Sequence, residues 1–113
     1  MTKATEAKLW YAQRISAMVL ALCVLVHLVT ILYAMRGGLS AVEILARTRG
    51  NVAFALFYGV FVLSVVVHTP IGLGRIAEEW LSWRGRGLQV ALMLIAFLLA
   101  TTGLRAVWGL YAG

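Results

Sequence analysis

The sequence contains two histidines, His27 and His68, and both lie within or beside long apolar runs. An ionisable side chain in such surroundings is costly and marks a functional position. Imidazole there has three uses: a hydrogen bond across helices, a proton relay, or a metal ligand through a neutral ring nitrogen. At 100° per residue, Ala12, Ser16, Cys23, Thr30 and Ala34 fall within roughly 60° of His27, a stripe of small and weakly polar side chains. Such a stripe suits close helix–helix contact. It equally leaves room for a flat macrocycle whose iron takes an axial imidazole. The face of His68 carries Phe57, Phe61, Ser64, Gly72, Arg75 and Glu79. Arg75 stands two turns on, about 10 Å along the axis. There it would meet the propionates of a haem whose iron bound His68, and Gly72 would let the porphyrin edge approach the backbone. The plainer alternative is an interfacial histidine beside an arginine whose stem lies along apolar surface.

No other chemistry competes. The sequence has one cysteine and no Cys-x-x-Cys-His, which excludes covalent haem attachment. Cys23 reads as a small packing residue. Two histidines without a carboxylate inside the runs make a poor zinc or di-iron site. The four acidic residues fall at interfaces or in loops, so no carboxylate proton relay is visible.

The elements that must position these side chains follow from composition. Of 113 residues, 63% are hydrophobic and 12% charged, and the mean hydropathy is +0.94. A water-soluble domain of this size could not hide so much apolar surface. Both disorder and a disulfide scaffold are excluded on the same counts. Apolar segments at 15–35, 52–73 and 88–104 approach or reach the 20 or so residues that a spanning helix needs. They are continuous rather than alternating, which argues against strands. The first is longer than a signal-peptide core, so it is expected to be retained. The expected fold is therefore an all-α membrane protein of three transmembrane helices in one domain, 1–113. The spans are expected at about 12–36, 51–73 with a helical extension to about 80, and 87–110. Pro70 removes a backbone donor and predicts a kink just after His68.

The net charge is +6, with ten Lys and Arg against four Asp and Glu. These cations flank the apolar runs instead of forming a groove, so no nucleic-acid partner is expected. Six fall on one side of the three spans and four on the other, which places the N-terminus in the cytoplasm. Trp10, Tyr11, Tyr33, Trp80, Trp83, Trp108 and Tyr111 sit where headgroup-level anchors belong. In the outer loop Gly37 and Gly38 end the first helix. Ser40 precedes Glu43 at capping-box spacing, which predicts a short amphipathic helix from Ala41 to about Arg47. On span three, Ala96, Ala100 and Gly103 form a small-residue packing ridge.

Two short motifs carry a family resemblance. The run Gln13-Arg14-Ile15-Ser16-Ala17 resembles the His-Arg-(Ile/Val)-Ser-Gly that opens the first span of the cytochrome b membrane anchors of succinate dehydrogenase and fumarate reductase. The run His68-Thr69-Pro70-Ile71-Gly72-Leu73, with Gly74 before Arg75, resembles their second motif, His-x-x-x-Gly-apolar-Arg, with one residue inserted. The first motif's histidine is Gln13 here. Trp10 stands where the family has a quinone-binding serine. The resemblance implies haem b on His68, with Arg75 and Gly72 beside it, and places Arg14 near a quinone site or a haem propionate; the quinone site is expected close to Arg14 and Ser16. It also implies soluble flavoprotein and iron–sulfur partners and a bacterial inner membrane. Some anchors of this superfamily hold two haems, and His27 with His68 resembles their first- and second-span ligands.

Rise per residue sets His27 roughly 19 Å in from Arg14 and His68 about 5 Å from the inner face, a difference of about 14 Å. One iron cannot join them, so each needs a partner from a second anchor chain, an identical copy or a related three-span subunit. The leading expectation is a haem-binding, electron-transfer anchor of a quinone-linked oxidoreductase complex, not catalytic alone. The alternatives are a non-haem structural or assembly protein and a small transporter subunit with both histidines in its path.

Overall fold

The computed structural model describes residues 2–113, and among them it has four helices and no strand. Helix α1 runs Lys3–Gly37, α2 Ala41–Thr48, α3 Val52–Trp80 and α4 Arg86–Ala112. Three of these, α1, α3 and α4, are long and apolar enough to cross a membrane. In lipid a segment must satisfy its own backbone hydrogen bonds, and a helix does so internally. The short α2 lies between the first two spans, one residue longer than its sequence signal indicates.

Helix α1 starts at Lys3, nine residues before the span expected from about 12. Ala4, Glu6, Ala7, Lys8 and Leu9 are all good helix formers. Thr2 caps the end, its hydroxyl oxygen accepting the amide of Thr5 at 3.1 Å. At 35 residues α1 is about 52 Å long, well beyond a ~30 Å hydrocarbon core. Its first turns therefore stand clear of the lipid. Helix α3 continues through Pro70 to Trp80. Proline has no N–H, so the carbonyl of Val66 loses its i+4 partner there.

Helix α3 is central: α1 packs on it and α4 packs on it, while α1 and α4 scarcely meet. The usual distribution of side chains is inverted. Ser16, Cys23, Ser64 and Ala77 are buried, whereas Met18, Leu22, Leu25, Leu94 and Phe97 are exposed. Small residues let backbones approach where lipid and helix are equally apolar. The predicted small stripe on α1 does face inward at Ser16 and Cys23, but Thr30 stays exposed and donates to Val26 O at 2.8 Å. Leu88, only 2% exposed, fixes the α3–α4 hairpin beside its short connection. That connection turns through Ser82 at φ 51° and Gly85 at φ 99°.

The opposite end is closed by the 36–51 segment. Ser40 caps α2, accepting from Glu43 N at 3.2 Å and donating to the Glu43 carboxylate at 3.0 Å. A helix C-terminus leaves its last carbonyls without partners. Here the buried Thr48 hydroxyl donates to Leu110 O at 2.8 Å, and Gly50 N donates to Tyr111 O at 2.8 Å. The Arg49 guanidinium donates to Gly113 O. The 36–51 segment thus ties span three to the start of span two.

Gly103 on α4 packs directly against Val62 on α3. A Cβ there would lie 2.7 Å from Val62 Cγ1 and 3.0 Å from Cγ2. Valine is stiff at χ1 and cannot swing clear. Gly103→Ala is expected to destabilise the protein by about 1–3 kcal/mol, as overpacking does. Gly59, in the middle of α3, has nothing within 4 Å of the same position. Gly59→Ala is expected to stabilise by about 0.5–1 kcal/mol through helix propensity alone. Thermal unfolding of both variants in one detergent reads the two signs. Equal shifts in one direction would contradict this packing.

Candidate functional site

The long helices place the two histidines at separate levels, each against a different partner. His68 on α3 meets Ser16 on α1, with Nδ1 3.4 Å from the serine hydroxyl oxygen. Ser16 is 6% exposed, and its hydroxyl also donates to Gln13 O at 3.1 Å, one turn back on its own helix. Gln13 lies over Gly72. A Cβ on Gly72 would stand 3.3 Å from Gln13 Nε2. The glycine therefore admits α1 close to α3, a use that sequence alone did not reveal. Gln13 Oε1 is buried without a hydrogen-bond partner.

The two predicted quinone residues leave α1 in different directions. Ser16 is buried between the helices, whereas Arg14 is exposed. The Arg14 guanidinium sits over the Trp10 ring, 5.1 Å from its centroid. Arg75 is exposed as well, and it lines a cavity of about 510 Å³ between α3 and α4. Val66, Pro70 and Gly74 form one wall of that cavity, Gln89 and Leu92 the other, and Glu78 joins Arg75 on its lining. His68 is not part of it. The predicted stripe of His68, Gly72 and Arg75 is thus shared between two neighbours, with His68 and Gly72 toward α1 and Arg75 toward α4.

His27 stands at the second level. Its Nδ1 lies 2.8 Å from the Tyr58 hydroxyl on α3, and the ring meets the edge of Phe61 at 5.6 Å between centroids. The same residues line a cavity of about 290 Å³ that reaches Thr102 and Gly103 of α4. From Ser16 to His27 is 11 residues and from Tyr58 to His68 is 10, so the levels are about 15 Å apart. That agrees with the separation of about 14 Å estimated from membrane depth.

Sequence reasoning missed Gln13 and Tyr58. Gln13 registered only as a departure from the family motif. Tyr58 is the one tyrosine inside span two, and its hydroxyl there needed a partner. That signal was available and pointed to His27.

Chemically, each level offers one imidazole with Nδ1 engaged by a hydroxyl-bearing side chain of the adjacent helix. Among the described residues, no group of three or more His, Cys, Asp or Glu side chains converges on a point that could hold a metal ion. A lone imidazole at each level could hold a metal only as part of a group that brings the remaining ligands itself. A family model described as succinate dehydrogenase/fumarate reductase transmembrane subunit matches residues 1–104. No curated protein and no solved structure matches the chain.

Proposed function

Since the chain belongs to the succinate dehydrogenase/fumarate reductase transmembrane subunit family, we propose that it binds haem b through His68 and carries electrons between soluble subunits and membrane quinone. Membership makes it a membrane subunit of such a complex and implies association with flavoprotein and iron–sulfur subunits. The observation that carries the haem reading is the Ser16–His68 contact, which engages Nδ1 and leaves Nε2 as the ring nitrogen open to a metal. Haem, when bound, supplies a one-electron carrier at that level of the membrane. Arg75, on the same helix, is exposed toward the α3–α4 cavity. The long α1, with its polar first turns on the N-terminal side, gives the soluble subunits a surface to meet, and the Lys and Arg bias favours the cytoplasm for that side.

The complex, purified with its soluble subunits, tests this directly. Dithionite reduction is expected to give the sharp visible bands of bis-histidine haem b. A complex that oxidises or reduces substrate normally without any haem absorbance would refute the reading.

Quinone binding is assigned to Arg14. Its guanidinium has the charge and exposure to donate to a quinone oxygen at the membrane boundary. The Trp10 ring beneath it restricts where that group can go. Arg14→Ala is expected to raise the quinone KM by about tenfold, the loss of one charge-assisted hydrogen bond of about 1.5 kcal/mol. Haem content should not change. Unaltered quinone kinetics would return Arg14 to a plain membrane-flanking charge.

A further inference from the structure

We propose that Ser16 is a positioning residue for His68, fixing the tautomer that leaves Nε2 unprotonated and able to bind iron; this rests on the haem reading above. A serine hydroxyl has one hydrogen and two lone pairs. That hydrogen is directed to Gln13 O at 3.1 Å. Toward His68 the oxygen has only lone pairs to offer. The atom facing it at 3.4 Å, at the long end for a hydrogen bond, is Nδ1. Nδ1 therefore carries the proton as donor, and in a neutral imidazole Nε2 is then the acceptor.

Burial makes the arrangement decisive. Ser16 is 6% exposed, so bulk water does not supply the hydroxyl with alternative partners. The acceptor for its hydrogen belongs to α1's own backbone, which holds the hydroxyl in one rotamer. Gly72 contributes by letting α1 lie close enough for the contact. The chemical effect follows from the direction of the bond. A ring that donates from Nδ1 is a more basic ligand at Nε2. A more basic ligand favours the higher charge of ferric over ferrous iron and lowers the potential of the bound group. Ser16 thereby acts on the redox poise without touching iron. It is distinct in role from Arg14, which sits two residues away but faces outward.

The test compares wild type, Ser16→Ala and Cys23→Ala in the assembled, purified complex. Cys23 is the control: it is 4% exposed and buried on the same helix, and it is not among the partners of His68. Loss of a hydrogen-bond partner behind a ligating histidine costs about 10–100-fold in metal affinity. Ser16→Ala is expected to loosen ferric haem at least tenfold relative to ferrous, a rise in midpoint potential of about 59 mV per tenfold for a one-electron couple. Cys23→Ala should leave the potential where it is. Haem retained in Ser16→Ala at the wild-type potential would overturn the positioning role alone. An equal shift in both variants would also overturn it, as general loosening of α1. Wild-type complex lacking haem would defeat the underlying haem reading and this inference with it.

Discussion

Replacing His68 with leucine is expected to remove the haem bound at its own level, in full and not in part. His68 is the only imidazole at its level. The other histidine of the sequence lies about 15 Å away along the helices, and a metal–imidazole bond is only about 2 Å. No rotamer change closes that gap. Leucine is apolar and of comparable bulk, so α3 remains a membrane helix and the Gly72–Gln13 contact survives. The variant should assemble with its partners and lose the visible b-type bands of that site. The measurement pairs a pyridine haemochrome assay with the subunit composition of the purified complex. Full haem content and an unchanged spectrum in an assembled His68→Leu complex would remove His68 from the iron. Ser16→Ala differs in kind: it changes how strongly a ligand binds, whereas His68→Leu removes the ligand.

Much of this architecture was legible because hydropathy and rise per residue are one-dimensional quantities. The three spans, the outer helix capped by Ser40 and the two depths of the histidines all follow from counting along the chain. The start of α1 did not. Its first nine residues are polar enough to leave lipid but good helix formers, and a hydropathy boundary marks where lipid ends and not where helix ends. Lateral assignment was harder still. Projection at 100° per residue put His68, Gly72 and Arg75 on one face, yet a helix face meets more than one neighbour. The short His68 ring stays with α1, while the long arginine stem reaches the α3–α4 cavity. Ser16 and Arg14 were joined by a motif, but two residues on a helix are 200° apart, so one faces α3 and the other faces outward. Which helix lies beside which is set by contacts between Gly103 and Val62 or Gly74 and Leu92, and these are invisible to periodicity.

The chain purified without partners is expected to retain no bis-histidine haem. Each level contributes one imidazole, and the facing groups are Ser16 at one level and Tyr58 at the other. Neither level holds a second histidine that could complete the axial pair. On the proposed haem reading the second ligand comes from another polypeptide, and much of the apolar surface of the three spans is open to receive one. Haem added to the full chain in detergent should bind weakly and without the low-spin spectrum. Addition of the second anchor chain should produce that spectrum at one haem per His68 pair. A low-spin, bis-histidine spectrum from the isolated monomer would refute the two-chain requirement. Stoichiometry then assigns His27. Two haems per two identical chains place it on a second iron opposite its copy, in a C2 pair. One haem shared with a different anchor leaves it as the partner of Tyr58, where the 2.8 Å bond joins Nδ1 to the hydroxyl across the α1–α3 contact. The decisive variant is His27→Leu in the assembled complex. In the first case it halves the haem content. In the second it leaves haem intact and weakens α1–α3 packing by about 1–3 kcal/mol, because the Tyr58 hydroxyl loses its partner.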